Sequence, residues 1–125
     1  MRTIQEIADQ YYAMAQKGQI HQIQDELYAP EAVSTEPENI SQLPITVTGI
    51  PAIRDKEAVL EAQIEARHGG FCGPPIVGSY FFACTMGMDV TLKGRGRVQK
   101  DQVGVFEVAD GQIVKEQFFY NDAAY

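Results

Sequence analysis

The stretch Val103 to Tyr120, VGVFEVADGQIVKEQFFY, constrains the fold more than any other part of the chain. Two runs rich in Val, Ile, Phe and Tyr flank Ala109-Asp110-Gly111, and Asp-Gly between such runs is a strong hairpin signal. Strand alternation sorts the second run into Val114, Glu116, Phe118 and Tyr120 on one face and Ile113, Lys115, Gln117 and Phe119 on the other. A two-residue turn sets Val105 opposite Glu116, Val103 opposite Phe118 and Asp101 opposite Tyr120, with Phe106 and Phe119 on the far face. A bulge at Gly111 shifts that pairing but leaves the sorting within the strand.

The 125 residues are a single-domain length, and residues 1–125 read as one domain. A chain of this size buries roughly two-thirds of its unfolded surface, enough for a sizeable core. Seventeen acidic against ten basic residues give a net charge of −7, which disfavours nucleic acid and anionic membranes as partners. The start, MRTIQEIADQYY, has no apolar run of signal-peptide length, and no stretch approaches a membrane span, so the expected location is the cytoplasm. A turn at Gly78-Ser79 places Cys72 and Cys84 on opposite faces of a hairpin, so free thiols are expected. The sequon Asn39-Ile40-Ser41 is read as chance in that compartment.

Thr3-Ile4-Gln5-Glu6 fits a capping box, and Ile4, Ile7, Ala8, Tyr11, Met14 and Ala15 follow at helical spacing up to Gly18. A second helix fits Gln19 to Tyr28, stopped by Pro30. An extended piece over Pro30 to Pro37 and a loop over Glu38 to Leu43 follow. Gly49-Ile50-Pro51 opens a third helix, expected to run to Arg67 and to end at His68-Gly69-Gly70. From Phe71 the pattern is a four-stranded antiparallel meander, with Gly94-Arg95-Gly96-Arg97 as a hairpin turn lacking the context of a phosphate loop. Helices at the front and strands at the back give an α+β domain.

Three pieces carry a family resemblance: Glu26 to Pro37 (ELYAPEAVSTEP), Gly49 to Lys56 (GIPAIRDK), and Asp110 to Tyr120 (DGQIVKEQFFY). The chain resembles the SnoaL-like branch of the nuclear-transport-factor-2-like superfamily over nearly its whole length. The resemblance implies a cone, in which N-terminal helices pack in the concave face of a strongly curved, mainly antiparallel sheet around an apolar cavity. It also implies homodimers joined through the outer sheet face, and functions spread over ketosteroid isomerases, polyketide cyclases, dehydratases, epoxide hydrolases and many proteins with no known activity, so that the fold names no single reaction. Where related chains carry Asp-Glu, this one reads Asp101-Gln102.

Glu116 is the candidate general base, either desolvated among Val105, Val114 and Phe118 or solvated at the cavity mouth. Asp101 and His68 are the other catalytic candidates; a structural hydrogen bond and a helix C-terminus are their plainer readings. The expected cavity lining is Tyr12, Glu36, Lys56, Phe82, Met86, Val103, Val105, Phe118 and Tyr120. Tyr80, Phe82, Cys84, Met86 and Met88 alternate along one strand face as core or cavity wall. No metal-ligand spacing stands out, and neither metal nor cofactor is expected. Two functions remain: an isomerase, dehydratase or cyclase acting through carboxylates on a small apolar carbonyl compound, or a non-catalytic protein binding a small apolar molecule.

Overall fold

A computed structural model describes residues 1–122. Helix α1 (Ile4–Gln16) starts at the expected capping box: Thr3 Oγ accepts from the Glu6 N–H at 3.1 Å while Glu6 accepts from the Thr3 N–H at 2.9 Å. It turns into α2 (Ile20–Leu27), which runs directly into strand β1 (Tyr28–Thr35). After a loop come β2 (Thr46–Thr48), α3 (Ile50–Glu61), β3 (Ile64–Cys72), β4 (Ile76–Val77), β5 (Phe81–Leu92), β6 (Gly96–Ala109) and β7 (Gln112–Phe119). The three helices pack on a mainly antiparallel, curved sheet of α+β type, in the strand order β2-β1-β7-β6-β5-β3 with β4 on β5. No described helix is long and apolar enough to cross a membrane.

Two expectations about the elements are corrected. The third helix ends at Glu61, not Arg67, and Ile64–Cys72 is a strand paired with β5 through Ile64↔Leu92, Arg67↔Val90 and Phe71↔Gly87. IEARHGG carries no decisive local preference, so pairing with a long β-branched and aromatic strand decides its state. The extended piece after α2 is β1, and it pairs in parallel with β7 (Ser34↔Glu116, Thr35↔Gln117), so the sheet extends beyond a four-stranded meander. A parallel neighbour far away in sequence leaves no local turn signal.

The last hairpin forms with Asp110 at φ 53° and Gly111 at φ 73°, the two left-handed residues that a type I′ turn requires. Its register starts as a two-residue turn dictates, with Ala109↔Gln112 and Val108↔Ile113, then slips to Glu107↔Lys115 and Phe106↔Glu116. Val114 is the inserted residue. The slip brings Ile113 and Glu116 to the same side and turns the even-numbered residues of β6 inward with them. Phe106 is therefore core at 0% exposure, whereas Val103, Val105 and Asp101 move to the outer face.

The core is built around three rings. Tyr11 lies 4.5 Å from Phe106 and 5.6 Å from Phe82, and Phe82 stacks on Phe106 at 4.7 Å. Cys72 and Cys84 are both free and sit in this inward layer, on the same face of the sheet and not on opposite faces as expected. Cys72 pairs with Met86, two residues along β5 from Cys84, which keeps both thiols on one side. Cys72 Sγ donates to the Gly73 carbonyl at 3.7 Å, and the two thiols act on each other so that the pKa of Cys72 is lowered and that of Cys84 raised.

Candidate functional site

Between the helices and the inner sheet face lies a cavity of about 470 Å³, a size that holds a small ligand. Ile20, Ile23, Leu60, Met86, Met88 and Phe118 give it apolar walls. Its polar floor follows from the parallel pairing of β1 with β7. Ser34 lies beside Glu116 in register, and its Oγ donates to Glu116 Oε2 at 2.6 Å. The Tyr28 hydroxyl, from the start of β1, donates to Glu116 Oε1 in a short hydrogen bond.

The floor continues as one chain of contacts. Lys56 Nζ, from α3, donates to Ser34 Oγ and, at 2.8 Å, to Glu36 Oε2, with Lys56 and Glu36 side chains only 4% and 7% exposed. The Tyr120 hydroxyl donates to Glu36 Oε1 at 2.7 Å. Lys100 Nζ sits 4.0 Å from the centre of the Tyr120 ring and 3.6 Å from Asp122 Oδ1, and Asp122 in turn accepts from the Ile40 N–H at 2.9 Å. Every buried side-chain nitrogen and oxygen among the described residues has a partner. Such an arrangement holds charges in a low-dielectric interior only while all its members are present.

Burial is the main cause that raises the pKa of Glu116; the hydroxyls of Ser34 and Tyr28 and the charge of Lys56 pull it back, and the charge of Glu57 pushes it up. Tyr11 and Tyr28 are raised well above the ordinary phenol value, first by burial and then by the Glu116 charge, so both stay protonated. Burial lowers the pKa of Lys100, opposed by Asp122 and Glu36.

Of the expected site residues, Glu116, Glu36, Lys56, Met86 and Phe118 line the cavity together. Tyr120 joins the floor through Glu36. Tyr12 does not line the cavity: its neighbour Tyr11 does, because the apolar stripe of α1 faces the sheet at position 11. Phe82 lies behind Tyr11 in the core. Val103, Val105 and Asp101 face outward because of the slip at Val114, and Asp101 accepts from Gln99 at 2.9 Å there. His68 is exposed on β3, with Nε2 2.7 Å from Thr91 Oγ1. The cavity-facing member of Asp101-Gln102 is the amide.

Sequence reasoning missed Tyr28 and Ser34 at the floor, and His21, Gln24 and Glu57 elsewhere on the cavity lining. Gln24 is 2% exposed, donates to both carboxylate oxygens of Glu57 at 3.0 Å each, and accepts from Arg54 Nε at 2.8 Å. A polar residue on the buried side of a short helix was the available signal, and Gln24 directly follows Ile23 there. Among the described residues no group of three His, Cys, Asp or Glu is placed to hold a metal ion.

The SnoaL-like domain family matches residues 2–120. A protein from Mesorhizobium loti, solved as a candidate SnoaL-like polyketide cyclase [carbohydrate phosphatase], is 31% identical, with a TM-score of 0.85 over 95% of this chain and 100% of that one. An NTF2-like protein from Burkholderia thailandensis is 17% identical, with a TM-score of 0.80 over 98% and 94% of the two chains. A hypothetical protein with a ketosteroid isomerase-like fold from Catenulispora acidiphila, solved in complex with trimethylamine, is 16% identical, with a TM-score of 0.68 over 96% and 88% of the two chains. No curated protein matches the sequence.

Proposed function

This chain belongs to the SnoaL-like family, and from that premise we propose that it takes a small, largely apolar carbonyl compound into the cavity and moves a proton on it with Glu116. The observation that carries this reading is a carboxylate 5% exposed on the wall of an otherwise largely apolar cavity of ligand size. Desolvation makes it a stronger base than a solvated glutamate. In the step itself, the C–H bond beside the carbonyl breaks as an O–H bond forms on Glu116, and the electron pair moves onto the carbonyl oxygen. The Tyr11 hydroxyl, kept protonated, supplies a hydrogen bond to that oxygen. Return of the proton at another carbon is isomerisation; attack of the carbanion on a second carbonyl is ring closure. The designation of the Mesorhizobium loti protein accords with the latter.

Carboxylate titration by carbon-detected NMR, together with the variant Glu116→Gln, tests the reading. A raised Glu116 pKa and loss of turnover with ligand binding retained are the expected results; turnover by Glu116→Gln overturns it. One observation favours a second reading, a binding protein without turnover: both Glu116 oxygens already accept hydrogen bonds, from Tyr28 and Ser34. A ligand that binds stoichiometrically and is recovered unchanged supports that alternative.

We also propose that two copies pack through the outer sheet face, where Phe71, Phe81, Val103 and Phe119 are each 39–50% exposed. Sedimentation at micromolar concentration is expected to give a dimer mass, and a monomer mass refutes the proposal.

A further inference from the structure

Counting charges around the cavity leaves two carboxylates over. The lysines and the arginine on its wall are matched: Lys56 with Glu36 at 2.8 Å, Arg67 with Glu61, and Lys100 with Asp122 at 3.6 Å; His21 lines it as well. Glu57 and Glu116 form no ion pair among the described residues. Half-buried Glu57 accepts from the Gln24 amide and buried Glu116 from two hydroxyls, neutral donors that do not cancel charge. Arg54 reaches Glu57 only through the Gln24 amide, and its guanidinium is bound to Asp25 at 2.7 Å. Glu57 and Glu116 line the same cavity, together with Tyr11 and Tyr28.

A second observation is independent of these charges. Tyr11 is 7% exposed, its ring is fixed against Phe82 and Phe106, and its hydroxyl has no hydrogen-bond partner among the described residues. Since no fully buried polar side-chain atom lacks a partner, that hydroxyl opens on the cavity that Tyr11 lines. A phenol so placed is completed by a polar atom of a ligand.

We propose that the cavity selects an apolar molecule bearing a protonated amine, its nitrogen held at Glu57 and its oxygen function by Tyr11. The ammonium supplies a countercharge at Glu57, whereas a carboxylate ligand adds a further negative charge to a site whose lysines and arginine are already paired. A chain carrying −7 overall draws cations toward its mouth. The selection of an amine stands on its own; only the placement of a reacting carbon at Glu116 rests on the reading of that residue as the base.

The test uses three probes of nearly one size: phenethylamine, phenethyl alcohol and phenylacetate, titrated at pH 7 into isotopically labelled protein and followed by backbone amide shifts. The amine is expected to bind about tenfold more tightly than the alcohol, the order of a charge-assisted contact, with phenylacetate weakest. Glu57→Gln keeps the bond to Gln24 through its amide oxygen and is expected to bring the amine within about threefold of the alcohol, while Glu57→Asp keeps most of the preference. Equal affinity for amine and alcohol, no amine binding at millimolar concentration, or a preference that survives Glu57→Gln each overturns the proposal. Those results leave Glu116 untouched as base, and failure of Glu116→Gln to stop turnover leaves the amine preference standing.

Discussion

At the cavity floor Lys56 and Glu36 meet with side chains 4% and 7% exposed, and at the mouth Arg67 meets Glu61 with side chains 48% and 62% exposed. The chemistry of the two pairs is the same and their energetic meaning is opposite. At the mouth water screens both charges, and the pair adds little whether made or broken. At the floor each charge has been taken out of water, so the pair is worth little as a net gain but its loss leaves a buried charge without a counterion. The lesson is that the floor is held together by mutual dependence: Lys56 serves Glu36 directly and Glu116 through Ser34.

The variant Lys56→Met breaks this contrast most severely. It strands Glu36 and removes the nearest cation from Glu116, with an expected loss of about 3–5 kcal/mol in urea unfolding. A loss below about 1 kcal/mol means that the floor behaves like the mouth and the distinction fails. Tyr28→Phe comes next, removing one donor from a buried carboxylate at an expected cost of about 1–3 kcal/mol. Because the Tyr28 hydroxyl holds the Glu116 pKa down, the same variant is expected to raise it further in an NMR titration; a fall refutes the assigned hydrogen bond.

The pH dependence sharpens the comparison with a smaller effect. Glu116 holds its proton more tightly in the folded protein than its ordinary 4.5, so folding takes up a proton between that value and the raised one. Its contribution to stability is complete below 4.5 and is lost as pH rises through the folded pKa, with a slope of at most about 1.4 kcal/mol per pH unit. Glu116→Gln is expected to flatten this part of the stability curve, and an unchanged slope assigns it to another group. Smallest is Glu61→Gln at the mouth, expected to change stability by less than about 1 kcal/mol; a larger loss shows that the rim shares the floor's dependence.

Elements set by neighbours in the chain were legible in the sequence. The capping box at Thr3 and Glu6, the stop after α2 before Pro30, the Asp110-Gly111 turn and the alternation of Phe82, Cys84, Met86 and Met88 all act within a few residues, where backbone sterics and side-chain period decide the outcome; Tyr80, expected on the same face, precedes β5 and is 70% exposed. The wider pieces that resemble the SnoaL-like pattern gave the family and brought Glu116, Glu36 and Lys56 into view as cavity residues.

Tertiary structure decided which side of the sheet each residue faces and which distant groups meet. A single inserted residue, Val114, exchanged the roles of Phe106 and Val105 and sent Asp101 outward, because side-chain direction in a strand has period two and one slip inverts it. The strand over Ile64–Cys72 formed because β5 offered it an edge, which its own residues do not reveal. The floor of the cavity required β1 to lie parallel to β7, so that Ser34, more than eighty residues before Glu116 in sequence, became its hydrogen-bond donor. The chain's local chemistry thus fixed the helices, the turn and the stock of carboxylates. Long-range pairing alone determined which of those carboxylates left water, and with it where proton chemistry is possible.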